Sequence, residues 1–154
     1  MIRMVLALAI GVMVAGAPAM AAECGTKTTG YCKQKVAYHM NGKGGESEAA
    51  YFAALGNVQN HINAVGGAHI EVKVVMHGDG LGLLQSAKDN LRLQGVITNL
   101  KNQKVGFVVC KNTLTARKID PDKDLFDVEA EDIVPSGVAE LSALQQKGFT
   151  YIKP

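Results

Sequence analysis

The sequence predicts a three-layer α/β/α sandwich built on a mainly parallel sheet of five strands. Three observations lead there. Short β-branched runs alternate with helix-periodic segments from Lys35 to the end of the chain. The run Lys104 to Cys110 (KVGFVVC) is almost continuously apolar, as a central parallel strand buried on both faces must be. Most of these segments end at glycine or polar turn residues, and no linker or internal repeat marks a second domain.

The elements follow in order. Lys35 to Asn41 (KVAYHMN) alternates and stops at Gly42-Lys43-Gly44-Gly45, which makes it the first strand. Ser47 is positioned to cap a helix in which Phe52, Leu55, Val58, Ile62 and Val65 share one face, ended by Gly66-Gly67. Ile70 to His77 (IEVKVVMH) is the second strand, closed by Gly78-Asp79-Gly80. Leu81 to Leu84 is a short helical turn. Ala87 to Asn102 places Leu91, Val96, Ile97 and Leu100 on a helical stripe that Gly95 weakens. After the third strand, Lys104 to Cys110, Asn112 or Thr113 caps a short helix. The polar stretch Ile119 to Ala130 is a loop or ragged helix. Asp132 to Val134 is a short strand, Ser136 to Gly148 a helix, and Phe149 to Lys153 the last strand. Strand order is not legible at this level.

Composition hides a leader. The chain has 154 residues, 47% hydrophobic, with a formal net charge of +2. In residues 1–22, however, only Arg3, Gly11, Gly16 and Pro18 fall outside the hydrophobic set. Arg3, the apolar run Met4 to Ala15 and the small residues Ala17 to Ala22 have the layout of a cleaved secretory signal. The run is shorter than the ~20 residues a membrane span needs, and Glu23 before Cys24 disfavours a lipoprotein. Without the leader, roughly 132 residues at about 41% hydrophobic remain, with a net charge near +1. The domain organisation expected is residues 1–22 as signal, 23–34 as an N-terminal segment and 35–154 as one α/β domain. The mature protein is expected in the periplasm of a Gram-negative cell and off the membrane. So weak a basic excess disfavours nucleic acid as a partner.

An oxidising compartment changes how three cysteines are counted. Cys24 and Cys32 bracket a Gly/Thr-rich loop of nine residues and are expected to pair, a closure that contributes about 2–3 kcal/mol in the chain-entropy view. Cys110 is then the odd thiol. In open α/β sheets ligands bind beyond the carboxyl ends of the strands, so the residues that close each strand are the candidates. His39 and Asn41 close the first strand, His77 the second with Gly78 and Gly80 behind it, and Cys110 the third with Asn112 and Thr113 next. Cys110 stands where a strand gives way to a helix N-terminus, whose free N–H groups and dipole favour a thiolate. His61 and His69 belong to the first helix and the loop after it, and read as solvated or structural. No G-x-S-x-G, C-x-x-C, Walker or dinucleotide spacing is present, and Ser136 has no evident base beside it.

The segments VVCKNTL (Val108 to Leu114), HGDGLGLL (His77 to Leu84) and IVPSGVAELSALQQKGFTYIKP (Ile133 to Pro154) together resemble the DsrE/DsrF-like family, in particular its exported single-domain members. The resemblance runs from about Lys35 to the C-terminus. It implies the DsrEFH-like form of the three-layer α/β fold, homo-oligomers such as trimers or hexamers, and a single persulfide-carrying cysteine that maps onto Cys110.

Two functions follow. In the first, an exported sulfur carrier, Cys110 takes sulfane sulfur from a persulfide, polysulfide or thiosulfate-derived donor and passes it to an acceptor thiol. His39 or His77 favours the thiolate or handles protons, and no cofactor is required. The alternative is a non-catalytic binding module in which His39, His77 and Cys110 converge on a soft metal or line a small-ligand pocket, although no local metal motif is present. A protein whose Cys110 is merely buried is the third possibility.

Overall fold

The computed structural model describes residues 30–154. The expected leader, residues 1–22, and Cys24 with its expected bridge to Cys32 therefore lie outside the described residues. Five strands form one sheet: β1 (Gln34–Met40), β2 (Ile70–Met76), β3 (Gly106–Cys110), β4 (Ile133–Val134) and β5 (Thr150–Ile152). Their order is β4-β3-β2-β1-β5, and every pairing is parallel, so the sheet expected to be mainly parallel is wholly so. Six α-helices accompany them: α1 (Ala49–Val65), α2 (Gly82–Ser86), α3 (Leu91–Asn102), α4 (Lys111–Arg117), α5 (Pro121–Asp124) and α6 (Gly137–Gln146).

The chain steps in one direction from β1 to β4, then returns across the sheet to place β5 on the far side of β1. Parallel crossovers are right-handed, so reversing the direction of travel moves the connecting helix to the opposite face. The two cores show this. On one face α1, α2, α3 and α4 bury Leu55, Leu83, Leu93, Ile97 and Leu114 against Val36, Val74, Phe107 and Val109. On the other, α6 alone packs Leu141 and Leu144, with Phe149, against Ala37, Val75 and Val108. Each fully buried side chain of this size contributes roughly 1.5–3 kcal/mol, so the first face holds most of the stability. No helix among the described residues is long and apolar enough to cross a membrane.

Several boundaries differ from the sequence reading for local reasons. Ser47 does not cap α1: it lies at φ 50° inside a 3-10 turn (Glu46–Glu48), has no capping hydrogen bond, and the helix begins two residues later. The third helix starts at Leu91 rather than Ala87, because Asn90 caps it by accepting from the Leu93 N–H at 3.1 Å. Lys104 takes a positive φ of 67°, so β3 begins only at Gly106. Neither Asn112 nor Thr113 is the cap of α4; that position belongs to Cys110. Asp120 caps the single turn of α5 inside the stretch read as a loop or ragged helix. Ser136 caps α6 by accepting from the Ala139 N–H at 3.4 Å, which explains a serine that has no catalytic partner.

Candidate functional site

β3 leads into α4 on the four-helix face, whereas its neighbour β4 leads into α6 on the other. Adjacent strands whose following helices diverge leave a crevice at their carboxyl ends, the usual ligand position in such sheets. Cys110 ends β3 at that point, and Gly137, the first residue of α6, faces it from across the crevice. The start of each helix has backbone N–H groups without intrahelical partners. The Cys110 sulfur collects them.

Burial acts first on the Cys110 thiol and pushes its pKa up, since the residue is only 4% exposed. Hydrogen bonds from the Gly137 N–H, the Thr113 hydroxyl, the Thr113 N–H and the Asn112 N–H outweigh burial and leave the pKa below the ordinary cysteine value. The Thr113 hydroxyl is itself oriented, because its oxygen accepts from the Gly78 N–H at 3.0 Å and leaves its proton for the sulfur. Of the residues singled out from sequence, Gly78, Asn112 and Thr113 are thus brought together around Cys110. Asn112 contributes through its backbone, which also donates to the Pro135 carbonyl at 3.3 Å.

His77 neighbours Cys110, and the two histidines bond to each other. His39 is in register with Val75, and Val75 with Val108, so strand alternation puts His39, His77 and Cys110 on the α6 face. A Cβ at Gly137 would lie 3.2 Å from both the Cys110 and the His77 Cβ, so a side chain there would crowd the approach of α6. His39 Nε2 is 2.6 Å from His77 Nε2, with the rings stacked at 4.7 Å and 25°. One nitrogen must donate and the other accept. Burial lowers the pKa of both rings, helped at His39 by His77 and Lys153 and at His77 by Lys153. Both rings are therefore mainly neutral at pH 7, and the charge of a Cys110 thiolate is met by hydrogen bonds.

The remaining candidates are elsewhere. Asn41 lines a cleft of ≈160 Å³ with His39, Lys43, Tyr51 and Lys153, and no acidic side chain borders it. Gly80 is a packing residue: a Cβ there would fall 2.0 Å from the Met40 carbonyl oxygen. His61 is held between the Tyr38 hydroxyl at 2.9 Å and Gln34 Oε1 at 2.6 Å, so it is structural but not simply solvated. His69 ends a 3-10 turn. Among the described residues no group of three or more His, Cys, Asp or Glu side chains could hold a metal ion, so His39, His77 and Cys110 do not converge as one ligand set. Sequence reasoning missed Gly137 as a donor and Tyr151, whose hydroxyl is 2.6 Å from His39 Nδ1. Tyr151 pairs in register with Ala37, but only the strand order reveals that β5 lies beside β1.

The histidines give a pH signature. His39, His61 and His77 all have pKa values below 6.5 in the folded protein. Between those values and the unfolded value near 6.5 the unfolded chain binds more protons, so stability falls as pH drops through this window. Thermal unfolding from pH 7.5 to 5 is expected to show a falling Tm, and substituting His39 and His77 by glutamine should flatten the decline. An unchanged slope would count against the assignment.

A family profile described as the DsrE/DsrF-like family matches residues 34–154. A solved structure titled as a protein of unknown function, MTH1491 from Methanobacterium thermoautotrophicum, is similar to this chain with a TM-score of 0.66 and 29% sequence identity, over 79% of this chain and 99% of that one. No curated protein matches the chain.

Proposed function

Because this chain belongs to the DsrE/DsrF-like family, whose proteins work in sulfur relay with partner proteins, we propose that it is an exported sulfur carrier that holds sulfane sulfur as a persulfide on Cys110. The observation that supports this most is the set of four hydrogen-bond donors around a thiol whose pKa lies below the ordinary value. In the loading step the Cys110 thiolate attacks the outer sulfur of a donor R–S–SH. The Sγ–S bond forms, the donor's S–S bond breaks, and RS⁻ leaves with the electron pair and is protonated by water. No net oxidation occurs. Release is the same exchange toward an acceptor thiol. The donors that hold the thiolate can hold the persulfide anion, whose charge is spread over two sulfurs.

The low exposure of Cys110 favours a small, slender donor over a protein-bound persulfide. Lys43 and Lys153, in the cleft beside His39, favour an anionic one such as polysulfide or a thiosulfate-derived species. A bridge between Cys24 and Cys32 would leave no second free thiol in the chain to resolve the persulfide, which suits a carrier that hands its sulfur to another molecule. The exported location, this bridge and a trimeric or hexameric assembly are parts of the same proposal.

Treating the mature protein with polysulfide and mapping peptides by mass should show a gain of about 32 Da on the Cys110 peptide, removed by dithiothreitol. No adduct on Cys110 would overturn the proposal. Thr113→Val is expected to slow loading about tenfold at pH 7, since a hydrogen bond to a charged group is lost. The same substitution should cost about 1–3 kcal/mol of stability by leaving the Gly78 N–H unpartnered. Loading as fast as in the parent would show that the hydroxyl does not support the thiolate.

A further inference from the structure

Tyr151, His39 and His77 form a continuous line of hydrogen bonds along the α6 face of the sheet. The Tyr151 hydroxyl lies 2.6 Å from His39 Nδ1, and His39 Nε2 lies 2.6 Å from His77 Nε2. At the outer end Tyr151 is 43% exposed on the edge strand. At the inner end, His77 neighbours Cys110 across Gly137. The His77 and Cys110 β-carbons flank the same point beside Gly137, and Nδ1 is the ring nitrogen nearer the His77 β-carbon.

Two neutral arrangements satisfy every bond in this line. In one, His77 Nε2–H donates to His39 Nε2, His39 Nδ1–H donates to the Tyr151 oxygen, the tyrosine proton faces water, and His77 Nδ1 holds a lone pair. In the other, Tyr151 donates to His39 Nδ1, His39 Nε2–H donates to His77 Nε2, and His77 Nδ1 carries the proton. The two differ by one proton taken in at His77 Nδ1 and one released from the Tyr151 hydroxyl. Neither needs an imidazolium in a half-buried place next to Lys153, the cation acting on both rings.

We infer that Tyr151, His39 and His77 are a proton relay for Cys110, in which Tyr151 is the positioning residue that sets the tautomer of His39. As the thiol deprotonates, its proton enters at His77 Nδ1, the Nε2 proton of His77 passes to His39, the Nδ1 proton of His39 passes to Tyr151, and the tyrosine proton leaves to water. Release of the sulfur to an acceptor runs the line backwards and returns one proton to the thiolate. Charge and proton count balance at each step. The inference rests on the proposal that Cys110 reacts as a thiolate, and its test does not depend on sulfur loading.

The test compares the parent protein with Tyr151→Phe and His39→Gln. Stopped-flow reaction of Cys110 with 4,4′-dithiodipyridine is followed at reagent concentrations where the rate no longer rises, so that proton removal limits it. Both variants are expected to react about tenfold more slowly in weak buffer. Added imidazole should restore their rate and leave the parent unchanged. Long-range proton–nitrogen spectra of the imidazole rings should show a shifted tautomer balance at His39 in Tyr151→Phe. Parent-like rates, or a slowing that imidazole does not relieve, would overturn the relay. Intact relay signatures in a protein that takes up no sulfane sulfur would sink the carrier reading alone.

Discussion

Cys110→Ser is expected to abolish sulfane-sulfur loading while leaving the fold in place. Serine keeps a small acceptor where the N–H groups of Gly137, Thr113 and Asn112 converge, so unfolding stability should change by only about 1 kcal/mol. Its hydroxyl stays protonated at any working pH and does not displace a thiolate from sulfur. Cys110→Ala should lose loading equally and be less stable, by about 1–3 kcal/mol, because buried N–H donors lose their acceptor. Mass analysis after polysulfide treatment and thermal unfolding of both variants check this. Persistent sulfur uptake by Cys110→Ser would move the carrier role to another residue, while equal stability of the two variants would deny that the thiol is held by its donors.

Gly80→Ala is expected to cost about 3 kcal/mol or more and to lower Tm by roughly 10 °C. The added Cβ would sit 2.0 Å from the Met40 oxygen and 2.5 Å from its carbonyl carbon, and both are backbone atoms at the end of β1 that no rotamer change can move. The damage should spread to the site, since Gly80 belongs to the 3-10 turn (Gly78–Leu81) whose first N–H orients Thr113. Gly95→Ala is the control. Nothing lies within 4 Å of its Cβ position in α3, so relief of the glycine penalty should add about 0.5–1 kcal/mol. Thermal unfolding of the pair decides whether the Gly80 contact is as rigid as it looks; a Gly80→Ala protein as stable as the parent would show that it is not.

Much of the site was legible one strand at a time. Cys110 ends β3, His39 and His77 lie within one residue of the ends of β1 and β2, and a parallel α/β sheet gathers strand ends at one edge, so alternation and turn residues pointed to them. How they divide into partners was not legible. His77 and Cys110 flank Gly137, and His77 bonds to His39 because β1 and β2 are neighbours in a register that puts His39 opposite Val75. Residue type alone admits both histidines as support for the thiolate or as proton carriers, and burial with Lys153 disfavours their cationic forms.

Local pattern therefore determined what depends on neighbours along the chain: the alternation of strands and helices, the glycine stops, and a cysteine at the junction of β3 and α4. It also placed Ser136 before α6, without showing that the serine is there as a cap. Tertiary structure alone decided what depends on strand order. The return of α6 across the opposite face opens the crevice between β3 and β4, brings the Gly137 N–H onto the Cys110 sulfur, and sets Tyr151 of β5 beside His39 of β1. The physical reason is range. Periodicity and capping are written within a few residues, whereas a hydrogen bond between residues 39 and 151 exists only once the sheet has chosen which strands are neighbours.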